Sequence, residues 1–440
     1  MNILILASSP YSHIIPLKAL AKRLNEKYIA KIYCMSLKKN KKLIESLGMI
    51  FIEYPANIKP VSTGRVDSKL IMNNVMKYWD NNQIEEGYNY YIEKDIESLF
   101  DMTDVEIEAL KDIILSLNIN LIFRDAVDKF GDYLGKKLNI PVIGYMTHNI
   151  YSKKFFDNDP DYYYAIFLNT LIMDRRKYLS NDFFKNYSQK CAYYYKFFEK
   201  KYNTIEIKPH HQLDPRTDLT IIFSTKFLQP KESLYKGRKY IYIYPDIESR
   251  AETVDEEIKD FVSKHDILIY ISSGSITTQL TTYYIDFIKA LSKGDCGIII
   301  SAGIQNDILK EYVINNNLEE KVYISKWIPQ RYVLKHSSLF ITSGGQNSLL
   351  ESIYYETPML VTPITSEQRM NGIIIEKLGI GYTTYNIRDE FISTGNMVNI
   401  LLNDADVKDK LKIYANEYKT HVNDFRLLDK FIEENLKNEK

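Results

Sequence analysis

Short, continuous apolar runs alternate along the chain with longer stretches whose apolar positions recur at helical spacing. The first run, residues 3–7, is unbroken, which predicts a strand covered on both faces. Pro16 then stands at a helix start, and Leu17, Leu20, Ala21 and Leu24 follow at helical spacing. Strands are predicted over 30–35 and 49–52, on either side of a short helix at 41–47 that Gly48 ends. Two more, over 117–123 and 141–145, flank a helix at 129–138. Alternation of this kind means βαβ units and a parallel sheet.

Residues 151–202 break the rhythm, being rich in Tyr and Phe, nearly free of Gly and Pro, and suited to helices with loops. A polar break at 209–215, with His210 and His211, suits a linker. Beyond it strands are predicted over 219–224, 267–272, 297–301, 322–324, 339–342 and 359–362, and a Lys/Glu-rich helical stretch closes the chain from 407 onward. The economical reading is α/β, with two successive doubly wound domains at 1–208 and 219–420 joined by a linker at 209–218. A C-terminal helix at 421–440 is expected to return to the first domain. Ligands of such sheets sit off the carboxyl ends of the strands.

The bulk numbers narrow the function. A chain of 440 residues exceeds one ordinary core. Lys plus Arg equals Asp plus Glu at 57 each, so no net field draws the protein toward nucleic acid or an anionic membrane. Cys34, Cys191 and Cys296 are too scattered for a disulfide framework or a CxxC metal site, and they fit a reducing cytosol. The first apolar run lacks a basic flank and a cleavage site, and no apolar run approaches the ~20 residues of a membrane span. The expectation is a soluble, cytoplasmic protein, as a monomer or homodimer.

The residues from Trp327 to Asn371 carry the strongest chemical signal: Trp327-Ile328-Pro329-Gln330, then Ser343-Gly344-Gly345-Gln346-Asn347-Ser348, Glu351, and Glu367-Gln368 with Asn371. Trp327, after a strand, can lay its indole against a flat pyrimidine ring, a stacking worth roughly 1–3 kcal/mol. Gly344 and Gly345 make a tight strand-to-helix turn that presents the N–H groups of Asn347 and Ser348 to a pyrophosphate, with the positive end of the helix dipole behind them. Glu351 falls on the face of Asn347 and can hold ribose hydroxyls. Glu367 and Gln368 can accept from and donate to sugar hydroxyls. Single pieces of this set are ordinary (a core Trp, a Gly-Gly turn, a solvated Glu-Gln loop), whereas their order is specific.

The constellation resembles the nucleotide-sugar motif of the inverting UDP-glycosyltransferases of plants, mammals and bacteria, nearest the bacterial macrolide branch, whose motif carries Gly-Gly and Glu-Gln. The segment ending Leu228-Gln229-Pro230 and the loop Ser273-Gly274-Ser275 after residues 270–272 extend the resemblance over most of the chain, most weakly at 151–202. The resemblance implies the GT-B architecture, two Rossmann-like doubly wound domains facing a cleft. It implies a UDP- or dTDP-sugar as co-substrate, no cofactor, no metal, and a small, partly apolar acceptor such as a natural product or antibiotic. Its donor contacts fall on Trp327, Gln330, Ser343, Gly345, Asn347, Ser348, Glu351, Glu367, Gln368, Gly274 and Ser275. Ser343 departs from the family, which has a His there to donate to the diphosphate; a hydroxyl can donate but cannot become cationic.

Transfer to a hydroxyl needs a general base titrating near neutrality. His13, in the loop after the first strand, is the candidate, and Asp125, ending the strand before residue 126, is its orienting carboxylate. The resemblance agrees on both, with Ser12 standing where Gly is usual. Asp128 and Asp132 lie close enough to compete for the second role. His148 is a candidate for lining the acceptor pocket. Asp157-Asn158-Asp159 reads as a solvated turn, and His210-His211 as linker. Two other readings stand beside the transferase: a catalytically silent nucleotide-sugar binder acting as an auxiliary partner, and a GT-B epimerase.

Overall fold

A computed structural model describes residues 1–8, 10–55, 104–128, 130–151 and most of 217–436, with short breaks in the last stretch and isolated positions elsewhere. The apolar runs become seven parallel strands in a first sheet: β1 (Asn2–Leu6), β2 (Lys31–Ser36), β3 (Ile50–Glu53), β4 (Leu121–Asp125), β5 (Val142–Met146), β6 (Thr220–Ile222) and β7 (Tyr240–Tyr242). Their order is β3-β2-β1-β4-β5-β6-β7. A second parallel sheet contains β8 (Leu268–Ser272), β9 (Gly297–Ser301), β10 (Val322–Ser325), β11 (Leu339–Thr342), β12 (Met359–Val361) and β13 (Gly381–Thr383), ordered β10-β9-β8-β11-β12-β13. In each sheet the winding direction reverses once, at β1/β4 in the first and at β8/β11 in the second. Such switch points are where doubly wound sheets open a crevice beyond the strand ends.

The continuous apolar character of the strands follows from burial on both faces. Ile3, Ile5, Leu121 and Phe123 pack on one side of the first sheet with Leu17, Leu20, Ala21 and Leu24 of the helix Leu17–Tyr28. Leu4, Leu6 and Ile122 pack on the other with Ile107, Leu110 and Ile114 of the helix Asp104–Ser116.

The domain boundary differs from the expected one. Among the described residues the first unit runs to Pro245 and resumes at Asn423, and the second spans Asp246–Val422. The strand predicted over 219–224 does not open a new domain. β6 pairs with β5 in the register Gly144↔Thr220, and the Gly144 N–H donates to Thr217 Oγ1 at 3.0 Å. A restart of β/α alternation looks the same in sequence whether the next strand extends the old sheet or begins another. The predicted linker at 209–218 therefore interrupts the first unit; its residues 209–216 lie outside the described residues. β7 and β13, three residues each, were not among the predicted strands; residues 240–244, Tyr-Ile-Tyr-Ile-Tyr, carried a signal for the first, whereas the second had no distinct apolar run.

The C-terminal stretch is two helices, Ala405–Thr420 and Arg426–Leu436. The latter belongs to the first unit, where Leu428, Phe431 and Ile432 enter the core cluster of Leu17, Leu20 and Leu24. Asp429 accepts from Arg23 and, at 2.9 Å, from Tyr28. No described helix is long and apolar enough to cross a membrane.

Candidate active site

In the first unit the switch point carries the two residues that the sequence offered as general base and orienting carboxylate. β1 leads through Ser8 into a helical turn, Tyr11–Ile14, closed by the His13 N–H donating to the Pro10 carbonyl at 3.0 Å. Ser12 lies inside that turn in a right-handed conformation open to any residue. His13 Nδ1 then stands 2.7 Å from Asp125 Oδ2, at the end of the neighbouring strand β4. The imidazole is 16% exposed and the carboxylate 1%. Burial pushes the Asp125 carboxyl upward, but the His13 imidazole, the Val127 N–H at 3.1 Å and the charge of His148 together hold it below the usual carboxylate range. Asp125 thus stays ionised and fixes the proton of His13 on Nδ1, which makes Nε2 the basic nitrogen.

The two competing carboxylates point elsewhere. Asp128 accepts from the Gly131 N–H at 2.7 Å, and Asp132 pairs with Arg124 at 2.5 Å. His148, after β5, is half-buried with Nδ1 3.0 Å from the Asn149 carbonyl. Thr147, which drew no functional reading from sequence, places Oγ1 3.4 Å from His13 Nδ1.

In the second unit the loops after β8 and β11 lie side by side. Their strands pair in the register Thr342↔Ser272, and both loops turn on a left-handed glycine, Gly274 (φ 82°) and Gly344 (φ 86°). Gly344 could carry no side chain, since a Cβ there would stand 2.6 Å from Val361 Cγ1 and 3.2 Å from the Gln368 carbonyl. Gly345 has an ordinary φ and open space where a Cβ would be. The turn therefore depends on Gly344, while Gly345 leaves room for a ligand against the backbone. The helix Gln346–Tyr354 begins there, and its first in-helix bond is from Leu349 N–H to the Gly345 carbonyl at 3.1 Å. The N–H groups of Asn347 and Ser348 precede it, in the first turn, where no intrahelical acceptor exists.

Ser343 does not point at that space. Its hydroxyl, buried, donates to the Ser273 carbonyl at 3.0 Å and ties the two glycine loops together. Ser275 lies outside the described residues, as do Asp157, Asp159, His210, His211 and nearly all of the Tyr-rich segment.

Gln330, Ser348 and Glu351 form one cluster. Gln330 Nε2 donates to Glu351 Oε2 at 2.7 Å and reaches Ser348 Oγ at 3.3 Å, while its Oε1 accepts from Tyr270 OH at 3.3 Å. The sequence reading took Tyr270 only as part of the strand before the glycine loop, because only the fold brings β8 beside the helix Gln330–His336. Trp327, in the loop after β10, is 63% exposed, an unusual position for an indole that only packs. Gln368 is buried, with Oε1 accepting from Ile364 N–H at 2.8 Å, and Asn371 Nδ2 donates to the Gly344 carbonyl at 2.9 Å. Glu367 sits half-buried in the first turn of the helix Ser366–Leu378. Among the described residues, no three His, Cys, Asp or Glu side chains converge as metal ligands would.

Residues 244–413 match the family described as UDP-glucoronosyl and UDP-glucosyl transferase. An uncharacterized UDP-glucosyltransferase of Bacillus subtilis (strain 168), YojK, is 31% identical over 166 residues, which cover 37% of this chain and 39% of that one. The chain thus matches about two fifths of that relative's length. Over the whole chain the likeness is one of fold. A solved structure of the glycotransferase of kitacinnamycin superposes with a TM-score of 0.71 at 16% identity, covering 99% of each chain. The spinosyn rhamnosyltransferase SpnG complexed with thymidine diphosphate superposes with a TM-score of 0.62 at 12% identity, covering 98% of this chain and 100% of that one. Both agree with two Rossmann-like units of the GT-B class.

Proposed function

We propose that this protein, whose residues 244–413 match the UDP-glucoronosyl and UDP-glucosyl transferase family, is an inverting, metal-independent glycosyltransferase. It moves a sugar from a UDP- or dTDP-sugar to a hydroxyl of a small, partly apolar acceptor. The observation that carries the reading is the 2.7 Å contact between His13 and Asp125 at the switch point of the first sheet. A nucleotide-sugar binder without chemistry would have no need of a buried carboxylate holding an imidazole in one tautomer.

In this mechanism His13 Nε2 takes the proton of the acceptor hydroxyl as its oxygen attacks the anomeric carbon. Asp125 stabilises the imidazolium that forms. The bond to the nucleoside diphosphate breaks on the opposite face, which inverts the anomeric centre. The diphosphate leaves toward the N–H groups of Asn347 and Ser348, where fixed dipoles stabilise its charge without a metal ion. Trp327 stacks on the pyrimidine, and Glu351 with Gln330 holds the ribose. Glu367 and Gln368 hold the sugar, and Gly274 approaches the phosphates. His148 faces the acceptor. The family's UDP-sugar chemistry and the thymidine diphosphate held by SpnG support either pyrimidine nucleotide as carrier.

The test is mass spectrometry of products from a panel of UDP- and dTDP-sugars against an acceptor panel, with and without EDTA. Sugar transfer that survives EDTA is expected. Nucleotide binding with neither transfer nor donor hydrolysis would assign the protein as a silent binder, and an epimerised donor would assign it as an epimerase.

A further inference from the structure

Arg124 is among the largest fully buried side chains, and it immediately precedes Asp125 on β4. A guanidinium buried directly after Leu121, Ile122 and Phe123 is costly, because burying a charge is unfavourable unless its donors are satisfied. Here its two terminal nitrogens find acceptors in one particular way. Nη1 donates to the carbonyls of Asp125 at 3.2 Å, Ala126 at 3.4 Å and Asp128 at 3.2 Å, and Nη2 pairs with Asp132 at 2.5 Å. These acceptors are the last residue of β4, the turn that follows it and the helix Phe130–Leu138 behind it.

Alternation along the strand explains how this grip relates to the dyad. Ile122 packs on one face of the sheet, and Leu121 and Phe123 on the other. Arg124 therefore shares the face of Ile122, and Asp125 the face of Phe123. The guanidinium reaches beneath the turn and holds its backbone from one side, while the carboxylate emerges on the other toward His13. The packing leaves no slack. A Cβ on Gly131 would stand 2.8 Å from Arg124 Cβ and 3.1 Å from its Cδ, so the helix can approach this closely only because residue 131 has no side chain.

We propose that Arg124 is the positioning residue of the dyad: it clamps the turn 125–128 so that Asp125 presents Oδ2 to His13 Nδ1. The inference rests on the catalytic reading of His13 and Asp125 for its consequence in turnover, but the clamp itself is a statement about geometry.

A histidine-selective ¹⁵N spectrum reads the clamp without any substrate. With His13 assigned by the His13→Ala spectrum, its Nδ1 should appear protonated and slowly exchanging, and Asp125→Asn should abolish that signature. Arg124→Lys keeps the charge but cannot span three carbonyls and a carboxylate, and Arg124→Met keeps the bulk. Both should lose the His13 signature while binding UDP as the wild type does. Asp132→Asn, at a half-exposed position, serves if the Arg124 variants do not fold, and should weaken the signature in the same direction. Turnover should fall by about 100-fold in Arg124→Met, the scale of an ångström-level misplacement, with the Michaelis constant for the donor unchanged. Folded variants that keep the wild-type His13 signature would overturn the clamp. A lost signature with undiminished turnover would leave the clamp standing and sink the catalytic reading instead.

Discussion

The Gln330 side-chain amide donates to the Glu351 carboxylate at 2.7 Å, joining the start of one helix to the middle of another. The two residues lie 21 positions apart, and Ser348 and Tyr270 complete the group around the amide. Since Glu351 is buried, its charge is held by this network rather than by water. The network thereby fixes the Glu351 side chain in one orientation.

Glu351→Ala should accordingly weaken UDP binding by about 1.5–3 kcal/mol, the scale of a lost hydrogen bond to a charged group. Calorimetric titration with UDP measures this directly. Wild-type affinity in that variant would remove Glu351 from the ribose site.

Trp327→Ala is expected to weaken UDP binding by roughly 1–3 kcal/mol. Because the indole is 63% exposed, thermal stability should stay near that of the wild type. The chain has two tryptophans, the other being Trp79, which lies outside the described residues. UDP should quench the protein's fluorescence, and the quench should vanish in Trp327→Ala. A quench that persists would assign it to Trp79.

His13→Ala and Asp125→Asn should each lower turnover by about 10²–10⁴-fold, the usual contribution of a positioned general base. UDP affinity should be unchanged, since both residues belong to the first unit. Full transfer by His13→Ala would end its assignment as the base.

Much of this was legible in the sequence because burial on both faces writes itself as unbroken apolar runs, and β1, β2, β8, β9 and β11 were visible on that ground. The Trp327 to Asn371 constellation was legible because its parts occur in a fixed order from the loop after β10 to the helix after β12. The sheet to which β6 belongs was not legible, since Thr220-Ile221-Ile222 can pair equally well with an old neighbour or a new one. Nor could the sequence tell Gly344 from Gly345: the first is required by a close approach of Val361, a residue 17 positions away. Arg124 carried a signal that sequence reasoning passed over, a charge inside an apolar strand.

Asp128 offers a test by pH. Burial pushes its carboxyl up from the model-peptide value of 3.8 to about 7, against the opposing pull of the Gly131 N–H and the Arg124 guanidinium. A carboxyl raised in the folded protein binds its proton more tightly there than in the unfolded chain. Its contribution to stability is therefore fully present below pH 3.8, and is lost as the pH rises through about 7. Asn cannot ionise, and its Oδ1 can still accept from Gly131. Asp128→Asn should thus differ little from the wild type near pH 4 and gain on it steadily up to pH 8. The gain should be on the order of 1–4 kcal/mol, at about 2–4 °C in Tm for each. Thermal melts of both proteins across that range decide the matter, since two curves running parallel would show that Asp128 is ionised throughout.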